Sequence, residues 1–168
     1  RTDYAIDNTS EGSSPCPSAE ALYAAWLPGV VASRSVSVKV GEEPEQLKEL
    51  TQFAFDTATG RTTGQVARLA PALPAPCAAT LAALAPAPGD VVTSYEFDAA
   101  GNVVHEGLRF GQDANEAFGS DTDWSFGVAV REQNSALSYA SVLRTVDGGT
   151  GLVTREESGA AFAGDPAG

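Results

Sequence analysis

Apolar and polar residues alternate most clearly between Val91 and Phe110, VVTSYEFDAAGNVVHEGLRF. Val91–Phe97 and Asn102–Phe110 are rich in Val, Tyr and Phe, which suit a pleated, half-buried surface. Between them Asp98 can cap a turn with its side chain, and Gly101 accepts φ > 0 without steric cost. The pattern predicts a hairpin closed by a type I turn with a G1 bulge. Tyr95 and Phe97 then share one face and Glu96 takes the other. Similar punctuation recurs at Asp56–Gly60 and Asp147–Gly151.

Elsewhere the pattern is more varied. Ser18–Leu27 carries Leu22, Tyr23, Trp26 and Leu27 as an apolar stripe behind a Ser cap, and Pro28-Gly29 stops it. It predicts a helix with Trp26 anchored in the core. Val36, Val38 and Val40 alternate with Ser35, Ser37 and Lys39, as in a strand buried on the Val side. Glu42–Leu50 reads as an acidic turn or short helix, followed by strands over Leu50–Phe55 and Arg61–Leu69. Pro71–Pro88 holds a short helix around Cys77–Leu84 between stiff Pro-rich hinges. Gly111–Asp123 reads as a 13-residue loop. Trp124–Arg131 and Ala136–Val146 form a hairpin around Glu132–Ser135, and Leu152–Glu156 is the last strand.

These segments predict a mainly β chain, with α+β as the alternative. The expected architecture is an antiparallel sandwich or curved sheet of about seven to eight strands, one N-terminal helix and a short Pro-flanked helix. Residues 1–15 read as a polar tail, 16–157 as a single disulfide-linked domain and 158–168 as a second tail. Tyr4 and Ile6 give the first tail a weak alternation, so it can also add as an arm to a sheet edge, its own or a neighbour's.

Composition narrows the function. The 168 residues include 43% hydrophobic ones, enough to bury a core, and carry a net charge of −12. Such acidity disfavours phosphate tracking on nucleic acid and docking on an anionic membrane. No run is long and apolar enough for a transmembrane helix. The chain has no Met and favours Arg over Lys, eight to two. It reads as a processed, exported bacterial product. Cys16 and Cys77 each follow a Pro, and in an exported chain they read as one disulfide. Closing a loop of about 60 residues, that bond is worth roughly 4 kcal/mol. One His and two distant Cys do not make a structural zinc site.

Three constellations bear on chemistry. Asp113, Asn115, Glu116, Asp121 and Asp123 gather hard oxygen ligands in one stretch, which can serve Ca²⁺ or simply be a solvated acidic loop. The spacing departs from the EF-hand pattern at Ala117 and Gly119. His105 neighbours Glu106, but adjacent strand residues face opposite ways, so these two form no dyad. Gly148–Gly151 lacks the Lys and following helix of a phosphate-binding loop. Asn8-Thr9-Ser10 matches a glycosylation sequon, relevant only in a eukaryotic secretory pathway. Nothing resembles a nucleophile elbow.

Tyr95–Asn102 resembles a single unit of the tyrosine-aspartate repeats of large bacterial surface and toxin shells. Those proteins repeat the unit many times, whereas its one echo here is Phe55-Asp56…Gly60-Arg61. We read the likeness as shared turn chemistry and assign no family. The expected function is a non-catalytic exported surface, assembly or binding module, without cofactor, acting through protein contacts or edge-strand addition. The alternative is a small extracytoplasmic hydrolase using carboxylates and His105.

Overall fold

A computed structural model describes residues 2–4, 19–27, 29–72, 78–134 and 141–158. The chain is mainly β and antiparallel. Among the described residues ten strands hydrogen-bond in sequence order: β1 (Thr2–Tyr4), β2 (Val31–Val38), β3 (Gln46–Phe55), β4 (Thr62–Ala67), β5 (Val91–Phe97), β6 (Val103–Phe110), β7 (Phe118–Ser125), β8 (Val128–Asn134), β9 (Val142–Val146) and β10 (Val153–Ser158). One helix among the described residues, α1 (Ala19–Ala24), precedes β2. Contacts divide the chain into two units, residues 1–94 with 109–115 and residues 95–108 with 116–168.

The first unit has a conventional apolar core. Leu22 of α1 packs with Ala32 and Phe55, flanked by Leu27, Val30 and Ala79. A second cluster joins Ala54, Val66, Ala78, Leu84 and Val92, with Leu81 against it. The 78–85 segment reaches that cluster through a single turn rather than the expected Pro-flanked helix. Leu84 N–H donates to the Thr80 carbonyl at 3.1 Å, and Ala85 then turns left-handed at φ 47°. Gly64 is required where β4 passes beneath this segment. A Cβ there would stand 2.6 Å from the Thr93 carbonyl oxygen and 2.7 Å from Leu81 Cδ1.

Several expectations are corrected. α1 ends at Ala24, and Leu27 N–H donates to the Leu22 carbonyl at 2.9 Å. That is the long closing bond of a Schellman turn, with Trp26 at its left-handed position, φ 56°. The turn throws Trp26 outward, 88% exposed, instead of anchoring it in the core. On β2 the buried residues are Ala32, Ser33 and Ser35, while Val36 and Val38 are exposed, because the core lies against the strand's first half. A bulge between Val36 and Ser37 then shifts the register. Of the segment read as an acidic turn or short helix, the first part does turn, with Glu43 N–H donating to the Val40 carbonyl at 3.1 Å, whereas Gln46–Leu50 belongs to β3 and pairs with β2. The arm at residues 2–4 lies along its own chain, Thr2 opposite Arg34 and Tyr4 opposite Val31.

In the second unit, β7 begins inside the segment expected to be loop and forms with β8 a hairpin that the sequence pattern does not predict, turning at Phe126-Gly127. Both turn residues have positive φ, 52° and 74°. Such two-residue turns normally announce themselves as Asn-Gly, and Phe126 in the first position hides this one. The expected second hairpin is β8 paired antiparallel with β9, Arg131 opposite Leu143, with β8 running on through Asn134; residues 135–140 lie outside the described residues. The central hairpin follows its sequence signal: β5 and β6 are neighbours, and Gly101, at φ 92°, donates its N–H to the Asp98 carbonyl at 3.0 Å. Cys16 and Cys77 lie outside the described residues.

Candidate functional site

His105 sits mid-way along β6, directly across from Asp121 on β7, so the two side chains share a face. Glu116 stands just before β7, where Ala117 N–H donates to the Leu108 carbonyl at 2.8 Å and extends the ladder. His105 Nδ1 donates to Asp121 Oδ1 at 2.6 Å, and Nε2 donates to Glu116 Oε1 at 2.9 Å. Only a protonated imidazole donates from both nitrogens. The bonds to Glu116 and Asp121 outweigh partial burial and raise the His105 pKa from 6.5 to about 9. At neutral pH the ring is an imidazolium with both protons engaged. It ties the start of β7 to β6, and it has no free nitrogen with which to take a proton.

The structure therefore brings together His105, Glu116 and Asp121 and separates them from their expected companions. Asp123 pairs instead with Arg131, Oδ2 to Nη1 at 3.4 Å. Asp113 contributes its carbonyl, which accepts from Arg109 Nη1 at 3.1 Å, and Asn115 is exposed. Among the described residues no three His, Cys, Asp or Glu side chains form a group that could hold a metal ion. The grouping of His105 with Asp121 was latent in the sequence. Phe118, Ser120, Thr122 and Trp124 alternate with Gly119, Asp121 and Asp123 at a strand's period of two.

Charge also organises the opposite face of this sheet. Arg144 on β9 binds Glu132 on β8 at 2.6 Å and Glu156 on β10 at 2.7 Å, and these two carboxylates raise its pKa. Arg144 Nη1 further donates to the Ala129 carbonyl at 2.8 Å. Among the described residues of the second unit only Gly107 and Gly119 are buried. Phe118, Phe126, Leu152 and Val153 are exposed. Trp124 is held across β6 by its indole N–H, which donates to the Val103 carbonyl at 2.7 Å. Phe126 Cβ lies 3.4 Å from where a Cβ on Gly151 would stand, so the β7–β8 tip touches the β9–β10 turn. Leu152 follows directly.

The first unit contains a different polar centre. Asp90 is 2% exposed and accepts from Leu69 N–H at 2.9 Å, Ala87 N–H at 2.8 Å and Arg68 Nη1 at 2.8 Å. Burial alone would raise its pKa, but the two backbone donors and the Arg68 guanidinium outweigh it and hold the carboxyl below its ordinary 3.8. Arg68 also donates to Gln52, Leu84 and Ala85. A cleft of about 250 Å³ opens here, lined by this network and by Leu50, Leu69 and Pro88. With its charges bonded to one another and to backbone, the network fixes the 84–90 connection against β4. A second, shallower groove of about 440 Å³ runs between Trp26, Leu27 and Val30 and the Thr59-Gly60 turn. His105 lines neither.

No helix among the described residues is long and apolar enough to cross a membrane. No protein-family model matches the chain, and no characterised protein matches it in sequence.

Proposed function

We propose that this chain is an exported, non-catalytic surface or assembly module that acts through protein–protein contacts. The observation that carries the reading is the apolar tip of the second unit. Phe126 and Leu152 are 65% and 67% exposed on two adjoining hairpin ends. Their backbone is fixed: Asp147 caps one end with bonds to the N–H groups of Gly149 and Thr150, and a two-residue turn closes the other. Large apolar side chains on a stiff scaffold bind at low entropic cost and mark interaction sites. His105 supports the same reading, because its two ion pairs serve to hold a loop. The Cys16–Cys77 disulfide belongs to this proposal, as it suits an oxidising compartment; two thiols alkylated without reductant would remove that part.

The test compares wild type with a Phe126→Ser, Leu152→Ser double variant and with His105→Gln. Retention of the purified chain on the surface fraction of its source should fall at least tenfold in the double variant and persist in His105→Gln. Hydrolytic turnover of ester or glycoside substrates that disappears in His105→Gln would replace this reading with the hydrolase.

A further inference from the structure

The last strand, β10, is bonded to β9 along one side, with Glu156 opposite Arg144 and Glu157 opposite Leu143. Among the described residues no strand pairs with its other side. Such an edge presents alternate N–H and C=O groups to any extended partner. Its side chains are not neutral toward that choice. Arg155 and Glu157 share one face, two positions apart, and Arg155 Nη2 reaches Glu157 Oε1 at 2.5 Å with the Arg side chain 72% exposed. Glu156 points to the other face, where Arg144 already holds it at 2.7 Å.

We infer that the partner of this edge is the β10 edge of a second copy of the same chain, paired antiparallel about Glu156. The register follows from symmetry. An antiparallel pair related by a two-fold axis normal to the sheet places residue 156 opposite its own copy and keeps each side chain on its face. Arg155 then stands opposite Glu157 of the partner subunit, and Glu157 opposite Arg155 of the partner subunit. The one ion pair within each strand joins its copy in a closed cluster of two cations and two anions. The one unfavourable opposition, Glu156 against Glu156 of the partner subunit, is moderated because each is ion-paired with its own Arg144, which it shares with Glu132. Thr154 falls opposite Ser158 of the partner subunit, a pair able to hydrogen-bond. Charge on this strand therefore favours self-pairing even though the whole chain is acidic. The inference rests on the binding-module reading and gives it a partner.

Sedimentation equilibrium of the full chain tests it. Five paired residues make a small interface, so the expected dimer dissociates at about 0.1–1 mM. Arg155→Glu alone and Glu157→Arg alone each set like charges opposite and should weaken dimerisation at least tenfold. An equimolar mixture of the two variants restores both oppositions, as does the double exchange R155E/E157R, and both should recover dimerisation. Both positions lie on an exposed edge strand, and unchanged circular dichroism checks that the single variants are folded. A wild-type chain that stays monomeric at about 2 mM overturns the inference, as does a dimer indifferent to both single reversals. If the wild type is monomeric yet the Phe126 and Leu152 tip still retains the chain on its surface fraction, only self-pairing falls. Loss of both removes the module reading as well.

Discussion

At the scale of single residues, two charged groups are held in opposite protonation regimes by their neighbours. The folded-state pKa of His105, about 9, lies above the ordinary 6.5. The proton is bound more tightly in the folded chain, so the stability this clamp contributes is complete below pH 6.5 and is lost as pH rises through 9. His105→Gln should therefore cost on the order of 1–2 kcal/mol at pH 6, with half-exposed carboxylates screening the rest. The difference from wild type should shrink between pH 7 and 10, read by urea unfolding at each pH. A ring titrating near 6.5 by NMR would contradict the geometry. Asp90 behaves in the reverse sense. Its lowered pKa means that its contribution is present above pH 3.8 and disappears as pH falls through the folded value. Asp90→Ala strands the Arg68 charge and two backbone donors, and should cost about 3–5 kcal/mol at pH 7.

At the scale of elements, the hairpins β3–β4 and β9–β10 are built alike. In Asp56–Gly60 and Asp147–Gly151 the Asp Oδ1 accepts from the backbone N–H and the hydroxyl of the Thr three residues on, at 2.7 and 2.8 Å in the first and 2.8 and 2.7 Å in the second. Each Gly then takes a left-handed φ, 71° and 72°, and returns its N–H to the Asp carbonyl at 2.8 Å. In both, the returning strand skips one residue, Thr63 or Thr154, just after the turn. The central turn at Asp98 is a shorter relative, in which Asn102 supplies the bonds to the Asp carboxylate. Asp56 and Asp147 carry lowered pKa values because those Thr bonds favour the carboxylate. Thr59→Ala and Thr150→Ala should each cost about 0.5–1.5 kcal/mol by thermal unfolding. Unequal losses would mean that the shared geometry does not carry shared energy.

At the scale of the whole molecule the two units are stabilised by different means. The first buries Leu22, Phe55, Val66, Leu84 and Val92. The second is a sheet whose described side chains are all at least partly solvated, held by backbone ladders and cross-strand ion pairs. Exposed pairs contribute at most about 1 kcal/mol each and weaken with salt. Val66→Ala should therefore destabilise the first unit by about 1–3 kcal/mol. Hydrogen exchange should find β3–β5 the slowest amides and β8–β10 faster, the gap widening at high salt. Uniform protection across β3–β10 would refute this division.

The sequence by itself determined the β class, the central hairpin and the three Asp-to-Gly turns, because a period of two and a positive-φ glycine are local requirements written in adjacent residues. It also located most strands after β3. Tertiary structure decided which face was inside. Val36 and Val38 alternate as a core face does, yet the cover over β2 lies at Ala32–Ser35, and burial belongs to the covering layer. Trp26 left the core because helix α1 closes one turn early, where Leu27 N–H caps the Leu22 carbonyl and Trp26 takes the left-handed position between them. The His105 cluster required register as well: the partners of β6 lie 11 and 16 residues away, and only the pairing of β6 with β7 brings Glu116 and Asp121 to the ring.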